Sequence, residues 1–210
     1  MMRGTKLAAL VLLLIGALLC TSCIMDEKVI EIVLKNSTCM PFEESGTSVT
    51  FGTEAVIDMA EEIEDSLERN DLSRSDIKTA KLISCTYQVT DLTPPDGHDD
   101  WEIGGVIKVE RIGKARAAET IVQYTSQSVL GAMPAPVAAQ LVPAGVDVLN
   151  EALEDFINGE DPILVFETDN DAVVPPPSGA DPIVFDWEAC LNIYVQLEQT
   201  LEMVDPIPGE

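Results

Sequence analysis

Histidine, basic residues and aromatic residues are all scarce in this chain. There is one histidine, His98, in 210 residues. That excludes a metal centre built on several imidazoles. It also leaves little general-base chemistry that works near neutral pH without a shifted pKa. Lysine and arginine together number 12 against 37 aspartates and glutamates, a formal net charge of -25. No basic surface is available to neutralise phosphates, so nucleic acid is excluded as a partner. The same charge opposes contact with anionic lipid headgroups, so membrane attachment would have to be covalent. Missing too are the Gly-x-Ser-x-Gly of a nucleophile elbow, a phosphate-cradling glycine loop and the EF-hand ligand spacing.

Long apolar runs are also lacking, with one exception at the start. Leu7 to Leu19 is apolar throughout, yet falls short of the roughly 20 residues that cross a bilayer as a helix. Arg3 and Lys6 precede it, and Cys20, Thr21, Ser22 and Cys23 follow. A short positive region, an apolar core and small residues before a break form a secretory signal, here residues 1–22. Thr21-Ser22-Cys23, with Leu18 and Leu19 upstream, resembles the lipobox of bacterial lipoproteins. The resemblance covers the N-terminus alone and departs from the pattern at Cys20, where leucine is preferred. It implies that Cys23 is acylated and becomes the first residue, with residues 23–27 as a short anchor to the membrane. Buried acyl methylenes contribute about 0.8 kcal/mol each, so several chains hold firmly where one is marginal. In that family an aspartate after the cysteine favours inner-membrane retention. Ile24 stands there instead, which implies export to the outer membrane. The alternative is ordinary cleavage near Ser22 and a soluble secreted protein.

The whole chain is 46% hydrophobic, and the remainder is too apolar to stay unfolded. It is long enough for one domain, taken as residues 28–203, with a loose tail at 204–210. With Cys23 acylated, Cys39, Cys85 and Cys190 remain as thiols. An exported compartment permits one disulfide among them, with three choices.

Period-two alternation predicts strands over Val29–Lys35, Ile77–Leu92, Trp101–Ile112, Glu119–Ser126 and Ile163–Thr168. The clearest is Ile183–Leu197, where every odd position is apolar, from Ile183, Phe185 and Trp187 to Val195 and Leu197. At about 3.3 Å per residue such a strand is unusually long, so a bend or a division between two sheet regions is expected. The three strands after Ile77 read as an antiparallel meander, with a bulge or bend at Gly104-Gly105. Val56, Met59, Ile63 and Leu67 predict an amphipathic helix over Glu54–Asn70, with Thr53 as N-cap. Pro143 opens a second helix to about Asn158, closed by Gly159. Val142 reads as part of an earlier helical turn that Pro143 kinks. Cys39–Ser48 and Asp169–Ala180 read as loops. The sequon Asn36-Ser37-Thr38 carries no functional reading.

These elements predict an α+β, mostly β fold. Its antiparallel sheet is bent or folded into a sandwich of about six strands, with two amphipathic helices on one face. Two loops have ligand character. Asp96, Asp99 and Asp100 surround His98 at a turn, and Asp169 and Asp171 flank Asn170. Such oxygen-rich loops can take calcium; polar turns have the same composition. No other cofactor is indicated. Lys108, Arg111, Lys114 and Arg116 gather at one hairpin, where they could hold an anion or face an acidic partner. The expected function is an exported, lipid-anchored binding or interaction protein of the envelope, with a protein or a small apolar ligand as its partner. One alternative is a carrier of lipid between sheet and helices, which needs a cavity of several hundred cubic ångströms. A second is an enzyme, less expected for want of catalytic residues.

Overall fold

A computed structural model describes residues 28–46, 50–93, 102–174 and 183–201. The signal sequence, Cys23, the Asp96–Asp100 loop with His98, Trp101 and the tail lie outside the described residues. By internal contacts Ile32–Leu197 forms one compact unit. The other unit, Met1–Glu31 with Glu198–Glu210, is described only at 28–31 and 198–201, as strand ends.

The fold is α+β, mostly β, and the described residues form two antiparallel sheets and two α-helices. Six strands are long: β1 (Lys28–Gly46), β4 (Ile77–Thr93), β5 (Glu102–Arg111), β6 (Glu119–Ser128), β9 (Ile163–Val174) and β10 (Ile183–Leu201). Four are short: β2 (Thr50–Phe51), β3 (Glu54–Asp58), β7 (Val137–Ala138) and β8 (Gln140–Leu141). The helices are α1 (Met59–Glu68) and α2 (Pro143–Ile157). One sheet runs β1-β10-β4-β7; the other runs β2-β9-β5-β6-β8, with β3 also paired to β9.

This order overturns the meander. β4 lies in the first sheet, while β5 lies in the second between β6 and β9. A hairpin is the default for successive strands, but β10 returns from the chain end to pair β4 along its whole length. The pairing slips at three places, and the register skips Thr90, Ile83 and Lys78 of β4. Each extra residue bends and twists the strand locally. These bulges explain why Ile83, which simple alternation puts on the same side as buried Cys85 and Val89, is 51% exposed while Leu82 is buried. Opposite Gly104-Gly105 the register also shifts, the extra residue lying in β6.

β1 is longer than expected. Cys39–Gly46, read as a loop, continues it. Its inward positions are Thr38, Met40, Phe42 and Glu44, all buried. Pro41 points the other way, on a strand that ends its sheet and can lack a ladder donor. Cys39 bonds to Cys190 across to β10. Phe42 stacks on Trp187 at 4.7 Å between ring centres, in the same antiparallel register.

The first helix is shorter than expected. Residues 54–58 are strand β3, paired to Ile163–Glu167 of β9, so Val56 is exposed rather than packed. Asp58, not Thr53, caps α1: its Oδ1 accepts from the amides of Ala60 at 3.0 Å and Glu61 at 3.3 Å. Thr53 instead exchanges backbone and side-chain hydrogen bonds with Thr168. The second helix begins at Pro143 and ends before Gly159, whose φ is +97°. Val142 is its extended N-cap, with β8 before it, so no kinked helical turn precedes Pro143. The C-terminal charge partner comes from far away. The Arg74 guanidinium sits 3.9 Å over the Phe156 ring and bonds to the Phe156 carbonyl and Asp161.

The sheets meet directly at one end, through Tyr87 and Tyr124 against Trp187. Elsewhere α2 packs on β4 of the first sheet and on β5 and β6 of the second. Leu149, Ala152, Leu153 and Phe156 on its inner face are completely buried.

Candidate functional site

The predicted site residues fall into three groups. Cys23, Asp96, Asp99 and Asp100 lie outside the described residues. Asp169 and Asp171 belong to strand β9 rather than to a loop. Both are exposed, on the opposite face from buried Asn170, and Asp169 bonds to Lys108 at 3.0 Å. The four basic residues of the hairpin do face acids, but those of their own chain. Arg111 pairs with Asp155 and Glu160, Lys114 with the same two, and Arg116 with Glu151 at 2.9 Å. The Arg111 hydrogen bond, helped by Lys114, holds the Asp155 carboxyl below its ordinary range, and Asp169 raises that of Lys108. Arg111 is itself buried; the exposed pairs of Lys108, Lys114 and Arg116 add little stability each, but all of them occupy the charges that an outside anion would need.

Sequence reasoning missed a buried polar cluster between the sheets. Glu44 of β1 is 3% exposed. Its Oε1 accepts from Thr168 Oγ1 at 2.9 Å, Asn170 Nδ2 at 3.0 Å and Trp187 Nε1 at 3.4 Å. The Asn170 side-chain Oδ1 in turn accepts from the Tyr124 hydroxyl. Gly105 makes room, since a Cβ there would lie 2.6 Å from Asn170 Oδ1 and 3.0 Å from the Tyr124 oxygen. Desolvation pushes the Glu44 carboxyl above its ordinary pKa despite the three donors, and raises Tyr124 as well. Continued alternation from Leu34 through Phe42 was the signal that would have placed Glu44 inward.

A carboxyl whose folded-state pKa is raised destabilises the fold as it ionises. Its contribution is fully present below the ordinary value near 4.5 and fades as pH climbs through the raised value. Glu44→Gln keeps an acceptor for the three donors and removes the charge. Urea midpoints of the two proteins should converge at pH 4 and separate above it, with Glu44→Gln the more stable at pH 8. Parallel pH profiles would show that Glu44 stays protonated, or is solvated, throughout.

Beside this cluster the interior holds about 20 Å³ of free space, lined by Tyr87, Ile103, Tyr124, Phe185 and Trp187. That is room for about one water. Cys85 is a buried free thiol, pushed up to about 12 by burial, which makes it inert as a nucleophile.

Larger space opens on the outside. A groove of about 460 Å³ runs between residues 78–81 of β4 and the polar face of α2. Asp147, Asn150, Glu151 and Glu154 form the helix wall, at spacings that share one face; Lys78, Ala80 and Lys81 form the other. Asn150 ties the walls together, its Oδ1 accepting from the Leu82 amide at 3.0 Å. Compared with models of known protein families and with curated protein sequences, the chain matches none.

Proposed function

We propose that this protein is an exported, lipid-anchored interaction module of the cell envelope, and that it meets its partner at the groove between β4 and α2. The groove carries the reading. Backbone and both signs of charge face about 460 Å³ of open space there, and Asn150 ties its two walls together, while among the described residues the interior beside Trp187 has room for about one water. A lipid carrier would need several hundred cubic ångströms inside. The polar groups of the Glu44 cluster bond to one another across β1, β6, β9 and β10, as groups that join two sheets do. The lipobox-like segment at Cys23 supplies the anchor, and among the described residues no helix is long and apolar enough to cross a membrane.

Two measurements test this. The mature N-terminus should carry acyl mass on Cys23, and Cys23→Ser should move the protein from the membrane fraction to the soluble one; an unmodified terminus overturns the anchor. A photo-crosslinking side chain at Lys81, in the groove, should give a discrete adduct in intact envelopes. The same group at exposed Val33 of β1 should not. No adduct at Lys81, or the same pattern at both positions, overturns the groove as contact surface.

A further inference from the structure

Resting on that reading of the groove, we infer that its occupant is an extended, basic segment of a partner protein that adds as a strand to the edge of β4. The edge is already used this way along part of its length. β10 pairs with one side of β4 from Ile77 to Thr93. On the other side β7 pairs only Thr86 and Tyr87, and the Ala139 amide bonds to the Cys85 carbonyl. Further along, the Leu82 amide points to the same side, where a side chain, Asn150, stands in for a strand. In an antiparallel ladder the outward-facing residues alternate. The parity that points the Leu82 backbone amide to this edge therefore points that of Ala80 there too; both side chains are buried in the core, and Ala80 lines the groove. β7, Asn150 and the groove thus lie in sequence along one strand edge, and the last is where an added strand fits.

Charge selects the occupant. Glu151 is held by Arg116, while Asp147 and Glu154 line the helix wall and are exposed. An added strand would direct every second side chain toward them. A second copy of this chain is a poor occupant, because each carries a net charge of -25 and the two repel. A basic segment is attracted by the same field, and Lys81 on the opposite wall can meet its backbone carbonyls or an occasional acid.

The test uses the full chain and three labelled peptides followed by fluorescence anisotropy. One alternates lysine and valine. The second replaces lysine with glutamate. The third is the lysine peptide methylated on alternate backbone amides, which keeps its charge but removes its ladder donors. The lysine peptide should bind. Methylation should weaken it about tenfold or more, as should Asp147→Lys with Glu154→Lys, both exposed changes that leave the fold intact. The glutamate peptide should not bind. Equal binding of the methylated peptide overturns strand addition, because charge alone would then suffice. Binding of the glutamate peptide overturns the charge argument, and no binding by any peptide overturns the inference. A Lys81 adduct in envelopes alongside failure of all three peptides would leave the groove as contact surface and dispose of this occupant.

Discussion

Replacing Cys39 and Cys190 together by serine should lower the unfolding free energy by about 2–5 kcal/mol. The bond closes a loop of sequence separation 151. Cross-linking that much chain removes many conformations from the unfolded state, and the chain-entropy account gives the larger figures for long loops. The folded state has its own reason to need the bond. β1 ends its sheet, so one ladder, to β10, holds it there. β1 also carries Met40, Phe42 and Glu44, which close the core beside Trp187. Urea titrations with and without a reductant, followed by circular dichroism, would measure the effect. The midpoint should fall, and the slope should rise slightly because the reduced unfolded chain is more expanded. Coincident midpoints would mean that the ladder and the Phe42–Trp187 stack hold β1 unaided. Buried Cys85 does not confuse the comparison, since it remains a free thiol in both proteins.

The elements legible from sequence are those whose pattern is local. β10 shows its alternation because one face is buried along its described length, and α2 shows its boundaries because Pro143 and Gly159 mark both ends. The misread elements depend on distant partners. Residues 54–58 look helical by the spacing of Val56, Met59 and Ile63; their strand form comes from β9, more than a hundred residues later. Asp169, Asn170 and Asp171 look like a loop because all three are polar. They form a strand because the acids face out and Asn170 finds Glu44, 126 residues away. Cys39–Gly46 was obscured by Pro41 and by a buried glutamate, each tolerated for a tertiary reason: an edge position and three donors. Of the basic residues expected at one hairpin, Arg111, Lys114 and Arg116 face Glu151 and Asp155 of α2 and Glu160 beyond it, while Lys108 pairs with Asp169 of β9. None of these partners could be read from spacing. The groove was invisible too, since it exists where the edge of one sheet runs beside a helix that packs on both.

Gly145→Ala sets two magnitudes against each other, and the structure decides the sign. Gly145 lies in the first turn of α2, where alanine is the better helix former by about 1 kcal/mol. On propensity alone the change stabilises. A Cβ at this position, however, would lie 2.4 Å from Ile121 Cα and 2.5 Å from both Ile121 N and Thr120 O, all backbone of β6. No rotamer relieves such a contact, so the helix must lift off the sheet. Overpacking of this kind costs about 1–3 kcal/mol, and backbone neighbours put it at the upper end. The net expectation is a loss of about 2 kcal/mol. Gly159→Ala is the informative comparison. Its φ of +97° strains any other residue, yet nothing lies within 4 Å of the new Cβ, so the loss there should be about 1 kcal/mol and confined to the helix end. The two differ in a second readout. Lifting α2 at Gly145 displaces Asn150, one and a half turns along, from the Leu82 amide and changes the width of the groove. The lysine–valine peptide should therefore bind Gly145→Ala more weakly and Gly159→Ala unchanged. A Gly145→Ala protein more stable than the parent would show that α2 does not approach β6 this closely, and the groove's fixed width would fall with it.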